Sequence, residues 1–227
     1  MKRITQGMLG ALFAVGVWGA ASAAEQLTDT MAWGDRLVEG KTEMPTADGG
    51  RISLEKVKGK KGLLVAFTCN HCPYAKKWQD RLTTLGNLYV KKGIGVIAIN
   101  ANDPKVYEDD SVVEMKKLWS GQSSVSPMAW NFPYAVDETS NIARAFGATK
   151  TPEFFLFDKK SRLVYHGALD ADADNAKLLA YEGKIPSEIA SQQYLKNALD
   201  AVVAGKKVER FSTQSFGCGI KFRRTQS

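Results

Sequence analysis

The sequence predicts an α/β domain built on a central mixed β-sheet flanked by helices. Three observations carry this. Two continuous apolar runs, "LLVAF" (63–67) and "IGVIAI" (94–99), are bounded by glycine and polar residues, as strands buried on both faces are. Between them, residues 74–92 place Trp78, Leu82, Leu85 and Leu88 at helical spacing. Further on, residues 153–157 and 162–166 flank the turn "DKKS", the pattern of an antiparallel hairpin. The first two strands, joined by a helix, should be parallel with a right-handed crossover, and the hairpin makes the sheet mixed.

The elements follow in chain order. Residues 1–23 read as an export signal: Lys2 and Arg3, an apolar run over 8–21, then small residues at Ala21 and Ala23. A run of roughly 14 residues is short for a spanning helix, which needs about 20, and cleavage is expected near Ala23 or Ala24. An uncleaved anchor is the alternative. No cysteine follows the run, so a lipoprotein anchor is not expected. Residues 24–43 form an N-terminal lead segment, and 44–227 one domain, since no repeat or low-complexity linker interrupts it. Helices are expected over 111–119, 138–146 and 187–204, the last with Tyr194, Leu195, Ala198, Leu199 and Val202 on its apolar face.

Charge excludes one class of partner. Without Lys2 and Arg3 the mature chain keeps 29 basic against 24 acidic residues, a net charge of +5. The basic residues are scattered and form no dense stripe with interleaved aromatics, so no nucleic-acid partner is expected. No membrane span is expected to remain once the leader is removed.

The chemistry concentrates in "FTCNHCPYAKK" (67–77), where Cys69 and Cys72 bracket His71 and Pro73 follows directly. Proline is tolerated only in or near the first turn of a helix, so helix start and motif should coincide. Unpaired N–H groups and the positive helix end would then favour a Cys69 thiolate, with Cys72 one turn further in and able to close a disulfide. A protonated His71 should lower the Cys69 pKa further. A structural disulfide or a pair of buried thiols is the bland alternative. A zinc or copper site on Cys69, Cys72 and a histidine is another, although no second C-x-x-C or H-x-H accompanies the motif. His166 is expected to pack on the last strand with its ring satisfied locally.

A βαβ unit, a hairpin and a helix, with C-x-x-C closing the first strand, resemble the thioredoxin arrangement. The chain is identified as an exported member of the redoxin (AhpC/TSA-like, peroxiredoxin-like) branch of the thioredoxin superfamily. "DGGRISLEKVKGKKGLLVAFTCNHCPY", "VIAINAND", "VDETSNIARAFGATKTPEFFLFD", "LVYHGALD" and "GCGIKF" carry the resemblance over roughly residues 44–222. It implies a thioredoxin-like fold in which a cis-proline precedes the hairpin and faces the dithiol. The matching position is Pro152, after Thr151.

The resemblance further implies a periplasmic thiol–disulfide oxidoreductase that exchanges with protein thiols or disulfides and uses no cofactor beyond its dithiol. Catalytic residues would be Cys69, Cys72 and His71, with Thr151 and Pro152 facing them. The histidine is similar to that of the C-P-H-C oxidases, with Asn70 in place of their proline. Thiol peroxidase, the family's other chemistry, needs P-x-x-x-T-x-x-C; Ala66 fills the threonine position, and Thr68 directly precedes Cys69 instead. A copper or zinc chaperone is the non-enzymatic alternative.

Three further features carry expectations. The buried acid of thioredoxins has no counterpart on the first strand, where Ala66 stands, and Glu153 is either its substitute or, as preferred here, a solvated strand-end carboxylate. Cys218 is expected to be an inert thiol buried behind the last helix, with a partner-seeking thiol as the alternative. "DADAD" (170–174) imitates a calcium loop, but Asn175 and Tyr181 occupy the required glycine and glutamate positions, so it reads as a solvated insertion.

Overall fold

A computed structural model describes residues 30–171 and 192–224. The leader, most of the calcium-loop imitation and the start of the last expected helix lie outside the described residues.

A short hairpin, β1 (Met44–Pro45) and β2 (Arg51–Ile52), leads into a one-turn helix α1 (Leu54–Val57). Strand β3 (Gly62–Phe67) and strand β4 (Ile94–Asn100) are buried along their whole length and joined by helix α2 (Pro73–Lys91). They pair in parallel with Leu64 beside Val96 and Ala66 beside Ala98. Helix α3 (Val112–Trp119) connects β4 to β5 (Tyr134–Val136), again parallel. Helix α4 (Asn141–Phe146), the two-residue β6 (Lys150–Thr151), the hairpin β7 (Glu153–Asp158) and β8 (Leu163–Gly167), helix α5 (Tyr194–Val203) and β9 (Cys218–Gly219) complete the described chain.

The main sheet has the order β5-β4-β3-β7-β8, with β7 antiparallel to both β3 and β8. This is the mixed sheet of the thioredoxin-like fold. Strand periodicity sorts its side chains into two cores. Leu64, Ala66, Val96, Ala98, Phe154 and Leu156 face α2 and α5, where Trp78, Leu82, Leu85, Leu195 and Leu199 meet them. Leu63, Val65, Phe67, Ile97, Phe155 and Phe157 face α4. There Phe146 meets Phe67, Phe155 and Phe157 edge to face at 5.4, 5.2 and 5.8 Å. Each such side chain, fully buried, contributes about 1.5–3 kcal/mol.

Parallel β3 and β4 send the loops that follow them out at the same edge of the sheet, which positions the site. The turn 158–161 is closed by Asp158, whose Oδ1 accepts from the N–H groups of Lys160 and Arg162 at 2.8 and 2.9 Å. No helix of the described residues is long and apolar enough to cross a membrane.

One expectation fails within the core. Asp170 is not part of a solvated insertion; it is fully buried. Its carboxylate accepts from Trp78 Nε1 at 2.7 Å and Arg81 Nη1 at 2.6 Å, both on α2. Burial of a carboxylate is tolerated here because a guanidinium is buried with it.

Candidate active site

Thr68 N–H still donates to Ile99 O at 2.9 Å, so the chain leaves the sheet only at Cys69. Pro73 then opens α2, with Cys72 as the N-cap. This corrects the expected placement of the helix start. Proline is most at home at the first helical position, where its missing N–H would be unpaired anyway. The residue beside the helix terminus is therefore Cys72, and Cys69 stands three residues ahead in the loop.

One buried carboxylate shapes that loop. Asp110, at the end of a 3-10 turn (Glu108–Asp110), accepts through Oδ1 from the N–H of Asn70 at 2.7 Å and of His71 at 3.4 Å. Its Oδ2 lies 2.6 Å from His71 Nδ1. The His71 ring stacks on Tyr107, with centroids 3.9 Å apart. Tyr134 Oη donates to Asn70 Oδ1 at 3.0 Å. Asp110 was not legible as a site residue from its acidic run, although its place in the loop after β4, at the same sheet edge as the motif, was the available signal.

The sulfurs face the loop before β7. The Thr151–Pro152 peptide is cis. Cys69 Sγ lies 3.2 Å from Thr151 Oγ1, and Cys72 Sγ lies 3.1 Å from Thr151 O. Both cysteines are free and buried. Cys69 borders a polar cavity of about 200 Å³, lined also by Asn70, Lys76, Gln79 and Ser123. Gln79 is buried there, and its Nε2 has no protein partner.

Cys218 is also displaced from expectation. It is half-buried on β9, paired across from Thr151, and its N–H donates to Cys72 Sγ at 3.4 Å. It packs with Cys69, Cys72 and Ala75 in a small cluster of its own. The sequence could not foresee this contact, because it depends on pairing between segments 67 residues apart.

Electrostatics order the sulfurs. Cys69 is pushed well up, first by sharing a proton with Cys72, then by burial and by the Asp110 carboxylate. Cys72 is pulled well down by the hydrogen bond from Cys69, which with the contacts from Cys218 outweighs its burial. The helix terminus acts in the same direction. Cys218 is raised to about 11, first by burial and then by Cys72. These contacts favour the anion on Cys72, opposite to the expected order. His71 Nδ1 lies 2.6 Å from the Asp110 carboxylate, whose negative charge opposes any positive field the ring would exert at Cys69.

Glu153 is likewise not solvated. It is buried, and its Oε1 lies 2.8 Å from His166 Nε2 and accepts from Ser215 Oγ at 3.2 Å. Its Oε2 accepts from the N–H groups of Thr149 and Lys150 at 2.8 and 3.1 Å. Glu153 therefore anchors the strand that carries Thr151, and His166 finds its local partner in it. Burial raises the carboxyl pKa, but the bonds from His166, Thr149 and Lys150 outweigh it and hold the carboxyl below the usual range. A depressed carboxyl stabilises the fold above its unfolded value, 4.5, and loses that contribution as pH falls through the folded value. Chemical denaturation from neutral to acid pH should therefore show stability falling below pH 4.5, with a shallower fall in Glu153→Gln. Equal slopes in the two proteins would contradict this anchoring.

Among the described residues, Cys69, His71 and Asp110 form the one cluster whose ligand atoms all lie within 4.8 Å of one another. Histidine and carboxylate already satisfy each other in it, and Cys72 is turned toward Thr151. The donor set fits thiol chemistry better than a closed metal site, which takes four ligands.

The sequence model of the AhpC/TSA family matches residues 38–166. Among solved structures, an uncharacterised conserved protein from Geobacillus kaustophilus is 33% identical, with 86% of this chain and 94% of that one covered and a TM-score of 0.70. A hypothetical protein from Sinorhizobium meliloti is 31% identical, with 86% and 97% covered and the same TM-score, 0.70. Thiol-disulfide oxidoreductase ResA of Halalkalibacterium halodurans is 25% identical over 117 residues, 52% of this chain and 58% of that protein. The chain thus spans under two thirds of the length of the curated relatives it matches.

Proposed function

The chain belongs to the AhpC/TSA family, and from that premise we propose that it is a thiol–disulfide oxidoreductase acting on protein thiols or disulfides through Cys69 and Cys72. The observation that carries the reading is the pair of buried sulfurs at the start of α2, each in contact with Thr151 of the cis-proline loop. The name of the ResA relatives supports it. In the oxidative direction a substrate thiolate attacks one sulfur of the Cys69–Cys72 disulfide and releases the other as thiolate; a second substrate thiol then displaces the first. In the reductive direction a cysteine thiolate attacks the substrate disulfide and its partner cysteine frees the product. Thr151 and Pro152 form the wall against which the substrate chain lies, and Asp110 holds His71 over the Asn70–His71 turn.

Residues 1–23 are proposed to direct export to the periplasm and to be removed, with 24–43 leading into the domain 44–227. Protein recovered from the periplasm should begin just after Ala23 or Ala24. The leading test of the function is a glutathione titration of the Cys69–Cys72 couple together with turnover of a protein disulfide. A potential near about −270 mV marks a reductant and one near about −120 mV an oxidant. No exchange with either thiols or disulfides would overturn the proposal.

One observation favours a second reading, thiol peroxidase. The small polar cavity beside Cys69 holds an unpartnered Gln79 donor, and Thr151 Oγ1 lies within reach of the sulfur. Peroxide consumption coupled to oxidation of Cys69 would select it.

A further inference from the structure

The Cys69–Cys72 pair is walled in, yet exchange needs a sulfur that a protein chain can approach. Of the three cysteines only Cys218 is partly open to solvent. It is no stray thiol on a loose tail. Strand β9 pairs with β6, with Cys218 opposite Thr151 and Gly219 opposite Lys150. Ile220 N–H donates to Thr149 O at 3.0 Å, and Lys221 N–H to Asn102 Oδ1 at 2.7 Å. At Gly217 the backbone comes so close to the cis-proline loop that a Cβ would lie 2.0 Å from Thr151 O. These contacts seat Cys218 against the same Thr151 that touches both other cysteines, with its N–H on Cys72 Sγ at 3.4 Å.

The geometry points to Cys218 as a third redox residue, which carries the disulfide between the buried pair and the surface. The Cys218 thiolate attacks Cys72 Sγ of the Cys69–Cys72 disulfide. A Cys72–Cys218 bond forms, the Cys69–Cys72 bond breaks, and Cys69 leaves as thiolate and takes up the proton that Cys218 gave. Two electrons stay on the protein throughout, so the step is an isomerisation and needs no outside oxidant. The half-buried Cys218 sulfur is then the one a client thiol attacks, and Cys72 becomes the leaving thiolate. Cys72 is common to both linkages, which accords with its place between the other two sulfurs. This relay rests on the proposed exchange function but makes its own demand, a Cys72–Cys218 disulfide.

The test uses the full mature chain in three forms: wild type, Cys69→Ser and Cys218→Ser, with folding of each checked by circular dichroism. Each is oxidised with glutathione disulfide, blocked with an alkylating reagent, and mapped by mass spectrometry of non-reduced peptides. Cys69→Ser should yield a single intramolecular Cys72–Cys218 link in the monomer, and wild type a mixture of Cys69–Cys72 and Cys72–Cys218. Cys218→Ser should close the Cys69–Cys72 bond yet exchange with a protein disulfide several-fold more slowly than wild type. The relay is overturned if Cys69→Ser gives only glutathionylated or intermolecularly linked Cys72 and Cys218. If that variant does not fold, Cys69→Ala and the wild-type peptide map decide the same question. Failure of the exchange function looks different: wild type would turn over no protein disulfide, whichever links the map contains.

Discussion

Replacing Asp170 with alanine should lower the unfolding free energy by about 3–5 kcal/mol, the order of the loss when one member of a buried ion pair is removed. Asp170 is wholly buried, and the Arg81 side chain is only 5% exposed. The carboxylate satisfies two donors on α2, the Arg81 guanidinium at 2.6 Å and the Trp78 indole at 2.7 Å. Its loss removes a charged acceptor from the Arg81 guanidinium and the Trp78 indole at the face of the sheet that packs α2 and α5, where burial keeps water from taking its place. Asp170→Asn keeps an acceptor for Trp78 but not the charge, and should fall between the two. Arg81→Met with Asp170→Leu should recover much of the loss, because an apolar pair of similar volume removes the desolvation cost. Equilibrium denaturation reads all three. A loss below about 1 kcal/mol in Asp170→Ala, with an unchanged denaturant slope, would mean that the pair is solvated and the burial argument wrong.

The same residue shows where sequence reading stops. Strands β3 and β4 were legible because each is a continuous apolar run, and α2 because Trp78, Leu82 and Leu85 recur at its period. Strand β5 is three residues long, too short to carry a period, and β6 and β9 are two residues each, defined only by pairing with one another. The site was legible as far as its local chemistry: Cys69, Cys72, His71 and the Thr151–Pro152 position. Its acids were not. Asp110 meets His71 across 39 positions, Glu153 meets His166 across 13, and Asp170 meets Arg81 across 89. A carboxylate is buried only where a distant donor comes to it, and composition gives no hint of which acids will find one. The helix start is a different case. Proline's preference for the first helical position, applied to Pro73, leads directly to Cys72 as the N-cap.

That displacement decides the largest effect on activity. Cys72→Ser should reduce protein disulfide exchange to the uncatalysed background, because it removes the sulfur at the helix terminus that accepts hydrogen bonds from the Cys69 thiol and the Cys218 N–H. Loss of activity alone does not separate the two thiols, since Cys69→Ser also breaks the pair; their titrations do. Followed by ultraviolet thiolate absorbance in variants that also carry Cys218→Ser, the Cys69 thiol remaining in Cys72→Ser should titrate above the free value of about 8.5. It stays buried and keeps the Asp110 carboxylate as a neighbour. Adding Asp110→Asn should bring it down, because the repelling charge is gone while the loop keeps an acceptor for the Asn70 and His71 amides. Cys72 in Cys69→Ser should titrate below the free value, held by the helix end and by a serine hydroxyl that can still donate to it. The sign of the difference is the point at issue. A low Cys69 and a high Cys72 would restore the order that the motif alone suggests and would require a helix start beside Cys69, in conflict with Pro73 as the first helical residue.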